Sequence, residues 1–456
     1  MTRILPPDFI RRLELQMGPE SGTFMNALSG DSVLSVRLNA LKPTSGIWFE
    51  ANRVPWCAAG RYLNEKPVFT LDPLFHAGCY YPQEASSMII DWLVRNICQL
   101  PDQPVVLDLC GAPGGKSTLL ASFLDGRGVL VANEVIKSRA QILAENLIKW
   151  GAFNTVVTRN DPADFASLNS MFDLMLVDAP CSGEGMFRKD QRAVDEWSLK
   201  NTEMCVLRQR RILTDAWPAL KQGGFLIYST CTFNPEENEN NIKWFAEAHG
   251  AEVLSFEIPD AWGIHQLTVA GGSALGFYPH KVQGEGFFVC VLRKTAGSEP
   301  MKLNKIKKKR VSENSVKIDF PEVLNSALTQ WRFSADKDVW KAFPLMHTEE
   351  LERLKQKLMV IHYGVSLGQP VKKSWQPTHA LAVNTALQPN AFPVVELDET
   401  MALRYLKGES LPSLTDEKGF CLVSYNTIPL GFVKNIGTRM NNHYPAEWRI
   451  RMRLDF

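Results

Sequence analysis

The 456-residue sequence has no uninterrupted apolar run of about 18 residues, so no membrane-spanning helix is expected. It has no CxxC pair and no tight Cys/His cluster, which argues against a structural zinc site or any other metal centre. Its nine cysteines (57, 79, 98, 110, 181, 205, 231, 290 and 421) are odd in number and scattered, unlike a disulfide framework. Charge of one sign is also missing: 50 Lys+Arg against 49 Asp+Glu leave +1, which excludes a uniformly basic coat but not a local basic surface. There is no internal repeat, and the first residues, Met1 to Pro7, lack the apolar core of an export signal. A cytoplasmic location is therefore expected. What remains is 45% hydrophobic and 22% charged, the composition of a globular chain of about two to four domains. Such a chain is long enough to bury a large core without staples.

Between about residues 85 and 290 strand-like and helical runs alternate. Strands are expected at Val105–Leu109, Gly128–Ala132, Thr155–Thr158, Phe172–Val177 and Phe225–Tyr228. Lys137 to Trp150 places Ala140, Leu143 and Leu147 on one helical face and stops at Gly151, a natural C-terminal cap. That alternation predicts an α/β fold with a mostly parallel sheet covered on both faces. Residues 1–75 mix a helix (Asp8 to Met17) with short extended runs. Residues 293–310 hold eight basic side chains and one acid, Glu299, and read as a solvated basic linker. From about 370 onward short strands and turns dominate.

Five informative segments follow expected strands, where open α/β sheets bind ligands. The first, Asp108 to Ser117, runs from a strand through Cys110-Gly111-Ala112-Pro113-Gly114-Gly115-Lys116 into a helix. Its glycine spacing fits neither a P-loop nor a dinucleotide fingerprint. It fits a turn that lets backbone approach a small ligand. The second ends in Glu134, about 20 residues on, where Rossmann-like sites hold ribose hydroxyls with an acid. An acid on a ribose without a phosphate clamp suits S-adenosylmethionine. The third, Asn160-Asp161-Pro162, is placed to read an adenine amino group, although such a segment alone is usually a turn.

The fourth and fifth segments place Asp178 and Cys181 after one strand and Cys231 after another. A lone buried cysteine is usually structural. Two at neighbouring strand ends, beside a methyl donor and an aspartate, suggest methylation of a pyrimidine at carbon 5. That carbon is a poor nucleophile until a thiolate adds to carbon 6, and a proton must leave carbon 5 before the thiol is expelled. The chemistry needs a reactive cysteine, a group on the base edge and a second thiol or base.

The motifs DAPCSGEG (178–185) and STCT (229–232) resemble those of the Nop/Sun family of S-adenosylmethionine-dependent RNA cytosine-5 methyltransferases. The resemblance extends to DLCGAPGGKS (108–117), ANEV (132–135), HAGCYYPQEASS (76–87) and PHKVQGEGFF (279–288). Residues 370–456 resemble the PUA-like RNA-binding domain of bacterial ribosomal RNA members, through GVSLGQ (364–369), THALAV (378–383), YLKGE (405–409) and PLGFVKN (429–435). The resemblance implies a small α+β RNA-recognition domain at 1–75 and a Rossmann-like methyltransferase domain at 76–295. A basic linker at 296–318, a connecting region at 319–369 and the PUA-like β-rich domain at 370–456 complete the expected order. It further implies Cys231 as nucleophile, Cys181 as the thiol that assists release, and Asp178 both at the cytosine edge and with the cofactor. Cys110, Gly111, Ala112, Pro113, Gly114, Gly115, Lys116, Glu134 and Asp161 match cofactor-binding positions, and Arg139 a supporting arginine. Small-subunit ribosomal RNA or an assembling subunit is the expected partner, bound by a monomer without metal. RNA contacts are expected from Arg37, the basic run, and Lys434, Arg439, Arg449, Arg451 and Arg453. The rival readings are a non-catalytic RNA-binding assembly protein on the same fold, an amino-group or protein methyltransferase, and a DNA methyltransferase.

Overall fold

The computed structural model describes residues 5–42, 50–295, 322–371 and 374–453. At its centre is a ten-stranded sheet. Its strands are β1 (Val105–Asp108), β2 (Val129–Asn133), β3 (Thr155–Thr158), β4 (Phe172–Asp178), β5 (Leu220–Thr230), β6 (Ala251–Val253), β7 (His265–Val269), β8 (Gly272–Phe277), β9 (Phe287–Lys294) and β10 (Val360–Tyr363). The order is β7-β8-β9-β5-β4-β1-β2-β3-β10, with β6 also paired to β9. The sheet is mixed. β3, β2, β1, β4 and β5 run parallel, and both margins are antiparallel. β1, β2 and β3 are buried along their whole length, as near-continuous apolar runs such as Val129-Leu130-Val131-Ala132 require between two helical layers.

Helix α1 (Gly115–Leu124) follows β1, and α2 (Lys137–Trp150) follows β2. α2 ends where expected, at Gly151 with φ 88°, whose N–H returns to Leu147 and Ile148. α3 (Leu199–Ala216) starts on a Ser198 cap, and α4 (Glu239–His249) follows β5. Chain order reverses between β1 and β4, so the turns after these two strands flank the crevice of an open α/β sheet.

The N-terminal sheet has the order Arg53–Val54, Cys57–Leu63, Leu34–Leu38, Tyr80–Pro82, so it reaches past residue 75. Helices Pro7–Met17 and Ser21–Leu28 bury Phe9, Leu13, Phe24 and Leu28 against Phe187, Trp197 and Phe233. They thereby pack on the chain just beyond both cysteine motifs. Residues 322–371 are folded rather than merely connecting: β10 adds antiparallel to β3, and Leu351, Leu354 and Tyr363 enter one of the two cores of the central sheet. The expected boundary at 370 falls inside the strand Val365–Val371 of a further four-stranded sheet. A five-stranded sheet from Val394 to Asn442 completes the fold.

Two expected RNA contacts are corrected here. Arg37 is 2% exposed. Its guanidinium lies 4.5 Å over Trp150 and donates to Gln83, Thr118 and the Gly115 carbonyl, so it locks the N-terminal sheet onto α1. Arg293 and Lys294 belong to β9: Arg293 pairs with Glu252, and buried Lys294 donates to the Trp217 and Leu220 carbonyls. The rest of the basic run, from residue 296, lies outside the described residues. Among the described residues no helix is long and apolar enough to cross a membrane, and no group of three His, Cys, Asp or Glu could hold a metal.

Candidate active site

The ends of β1, β2, β4 and β5 and the segment after β3 surround a cavity of about 510 Å³. That lies within the roughly 300–1,000 Å³ of small-molecule sites. All nine cysteines are free, and only Cys110, Cys181 and Cys231 are not fully buried. All three line this cavity.

On one side Glu134 closes β2 with 4% exposure. One carboxylate oxygen accepts from the Ile136 N–H at 2.9 Å, and the other faces Arg139 at 3.2 Å. Arg139 also donates to the Ala112 carbonyl, which ties the acid to the glycine-rich turn. Of that turn, Cys110 and Ala112 line the cavity, whereas Gly111, Pro113, Gly114, Gly115 and Lys116 are not among its lining residues. The glycines shape it instead. A Cβ on Gly111 would meet the Ser117 hydroxyl at 2.7 Å, and Gly114 sits at φ +124°. Burial pushes the Cys110 thiol far up, so it stays protonated. Beneath the turn, burial raises the Asp108 carboxyl to about 7, against the lowering effect of the Ser117 hydroxyl.

Asp161 lines the far end of the cavity, with Arg211 bound to both of its oxygens at 3.0 and 3.1 Å. That pairing holds its carboxyl below the usual range. Two wall groups, Asn133 and Arg211, escaped the sequence reading, and so did the Arg208 beside them. Asn133 joins three strand ends, donating to the Leu109 and Asn160 carbonyls and accepting from Thr158 and the Asn160 N–H. The only sequence signal for it is a polar residue ending an apolar strand. Arg208 and Arg211 project from α3, about 50 residues from the turns they face in the case of Arg211 and Asp161.

On the other side the β4/β5 register sets Asp178 opposite Ser229 and brings the two cysteine loops together. The Cys181 and Cys231 sulfurs stand 3.3 Å apart. The hydrogen bond to Cys231 and then burial raise the Cys181 thiol well above its ordinary value. Asp178 accepts from Lys116 and from the Ser229 hydroxyl, each at 2.8 Å. Burial alone would lower the Lys116 ammonium, but Asp178 outweighs it and the net shift is upward. This ion pair stands beside the thiols: Lys116 reaches from α1, and Asp178 itself lines the cavity. The whole arrangement offers a buried acid for a hydroxylated ligand at one end and a thiol pair with an ion pair at the other.

The chain matches the family model described as 16S rRNA methyltransferase RsmB/F over residues 96–293. The N-terminal domain of 16S rRNA methyltransferase RsmF matches over 5–85, and the methyltransferase RsmF PUA domain over 392–450. Among curated proteins it is 31% identical to the ribosomal RNA small subunit methyltransferase F of Erwinia tasmaniensis, with 97% of this chain and 96% of that protein covered. The Photobacterium profundum protein of the same name is 34% identical over 86% of this chain and 84% of its own. Among solved structures, a methyltransferase homologue from Pyrococcus horikoshii is 28% identical with a TM-score of 0.52, covering 64% of this chain and all of that one. NSun6 from the same organism, solved with the S-adenosylmethionine analogue SFG, has a TM-score of 0.55 at 22% identity, covering 64% of this chain and 99% of that one. With three family models matched in order along the chain and a curated relative matched over nearly its whole length, the chain belongs to the RsmB/F (Nop/Sun) family of S-adenosylmethionine-dependent ribosomal RNA methyltransferases.

Proposed function

We propose that the protein methylates carbon 5 of a cytosine in small-subunit ribosomal RNA, in the cytoplasm, with Cys231 as nucleophile and Cys181 as the release thiol. The observation that carries this reading is the thiol pair, 3.3 Å apart in the wall of the cavity. The relatives' shared name, ribosomal RNA small subunit methyltransferase F, supports the substrate class. A cytosine stacked in a duplex has to be flipped or presented single-stranded to reach the thiols, at a cost of a few kcal/mol.

In this reading the Cys231 thiolate bonds to carbon 6 and the 5,6 double bond opens, placing its electron pair on carbon 5. S-adenosylmethionine supplies an electrophilic methyl group to that carbon. Cys181, having given its own proton to solvent, takes the carbon 5 proton as a thiolate, the C–H pair restores the double bond, and the C6–S pair returns to Cys231. The Cys181 thiol is raised first of all by the hydrogen bond to Cys231. Once Cys231 is a thioether it no longer shares a proton with Cys181, and Cys181 ionises more easily at the step that needs a base. Asp178, oriented by Lys116 and Ser229, meets the cytosine edge. Glu134 takes the cofactor ribose, Asp161 with Arg211 the adenine end, and the turn from Cys110 to Lys116 shapes the wall between them.

The test is RNA carrying tritium at cytosine carbon 5. Methylation at that carbon alone releases the label to water, in step with methyl incorporation. Methyl incorporation without tritium release would overturn the reading. Cys231→Ala should abolish both signals while S-adenosylmethionine binding persists.

A further inference from the structure

Two consecutive residues before α4, Glu237 and Asn238, each hold both neighbours of one of the two active-site cysteines. Glu237 is fully buried. Its carboxylate accepts from the backbone N–H and the hydroxyl of Ser182, the residue after Cys181. It also accepts from the Gln209 amide, and the same amide donates to the carbonyl of Pro180, the residue before Cys181. Asn238, 2% exposed, accepts from the hydroxyl of Thr230 at 2.6 Å and donates to the carbonyl of Thr232 at 2.9 Å. Those two residues flank Cys231. One of the links between the halves is the Ser182 hydroxyl, which donates to Glu237 and accepts from Thr232 at 2.8 Å; another is the Gly185 N–H on the Cys231 carbonyl.

Buried polar groups that are wholly satisfied in this way rigidify the elements they join. Neither Glu237 nor Asn238 lines the cavity. Each holds the backbone beside a different sulfur, and Glu237 adds the effect of its charge on Cys181. From this division we infer that Glu237 and Asn238 are positioning residues for different halves of the reaction, Asn238 aiming Cys231 for attack and Glu237 aiming Cys181 for release. The inference rests on the assignment of those roles to the two thiols. Catalytic groups displaced by about 1 Å lose on the order of 100-fold in rate, which sets the size of the expected effect. Glu237→Gln keeps the volume but offers one acceptor oxygen in place of two, so either the Ser182 hydroxyl, or the Ser182 N–H and the Gln209 amide together, lose their acceptor. Asn238→Ala removes both contacts to the Cys231 loop.

The experiment uses the full-length protein, S-adenosylmethionine and a small-subunit ribosomal RNA transcript labelled at cytosine carbon 5. It reads the covalent protein–RNA adduct on a denaturing gel and the rate of tritium release. Glu237→Gln should form the adduct within about threefold of the wild-type rate yet release tritium about 100-fold more slowly, so that adduct accumulates. Asn238→Ala should slow adduct formation by a similar factor and accumulate none. Cys181→Ala and Cys231→Ala are run beside them. Adduct in Cys231→Ala, or none in Cys181→Ala, would remove the underlying thiol assignment. Cysteine variants that behave as assigned, with Glu237→Gln and Asn238→Ala slowing both steps alike or neither, would overturn the positioning inference alone. S-adenosylmethionine affinity reports whether each variant is folded. If either variant fails to fold, Gln209→Met, which removes the amide that ties Glu237 to the Pro180 carbonyl, and Thr230→Val, which removes the hydroxyl donor to Asn238, carry the same pair of opposite outcomes.

Discussion

Glu134 is buried with one oxygen on a backbone N–H and the other on Arg139, so its orientation is set before any ligand arrives. Glu134→Ala is expected to weaken S-adenosylmethionine binding by about 1.5–3 kcal/mol, the worth of a hydrogen bond to a charged group. Calorimetry with unchanged affinity would place the cofactor elsewhere. Residues of this kind, a strand-end acid or a cysteine in a motif, were legible in the sequence because each sits beside its own strand signal. Glu237, Asn238 and Gln209 were not, since Gln209 and Ser182 reach Glu237 across 28 and 55 positions and only folding brings them together. Arg37 misled for the opposite reason. An arginine is ordinarily exposed, and nothing local tells that Trp150, 113 positions along the chain, stacks under its guanidinium.

Among the elements, four of the five parallel strands and α2 fell close to their expected limits because apolar runs and a glycine cap are local signals, whereas β5 runs from Leu220 to Thr230, well beyond its expected Phe225–Tyr228. The strand β10 was missed. Val360-Ile361-His362-Tyr363 is a short run whose pairing depends on β3, about 200 residues earlier, and edge pairings of such range leave no periodicity to read. The packing around it makes a prediction. Leu354 is wholly buried in the core shared with Val156 of β3 and with Phe165 in the short helical segment after it. Leu354→Ala should cost about 2–5 kcal/mol of the catalytic domain's stability in denaturant titration. Loss confined to a separate C-terminal transition, with the catalytic transition unmoved, would show that β10 is not integral to the sheet. A truncation near residue 295 would strip this strand, so a loss of RNA binding in such a protein would not isolate the C-terminal sheets.

Across the whole molecule the N-terminal, central and C-terminal parts meet around His379, buried with both ring nitrogens lacking a hydrogen-bond partner. Tyr444, Trp448, His76, Lys149 and Lys42 surround it. Burial first, and then the two lysines and His76, lower its pKa to about 3. The unfolded chain takes up this proton below about pH 6.5 while the native protein does not, so the neutral histidine costs stability as pH falls from there toward 3. Asp108 and Glu237, each raised by burial to about 7, shift the balance the other way between about pH 4 and 7. They are common to both proteins in a comparison with His379→Leu. That variant should lose stability less steeply on acidification, by about 1.4 kcal/mol per pH unit. Parallel pH profiles would mean that His379 is protonated in the native state.

The central claim concerns which sulfur bonds to the base, and peptide mapping of the trapped complex tests it most directly. Cys181→Ala protein is incubated with S-adenosylmethionine and small-subunit ribosomal RNA, digested with protease and nuclease, and the cross-linked peptide is sequenced by mass spectrometry. A methylated, carbon 6-linked cytidine is expected on the peptide containing Cys231. The same nucleotide on any other residue, or a trapped nucleotide that carries no methyl group at carbon 5, would contradict that claim.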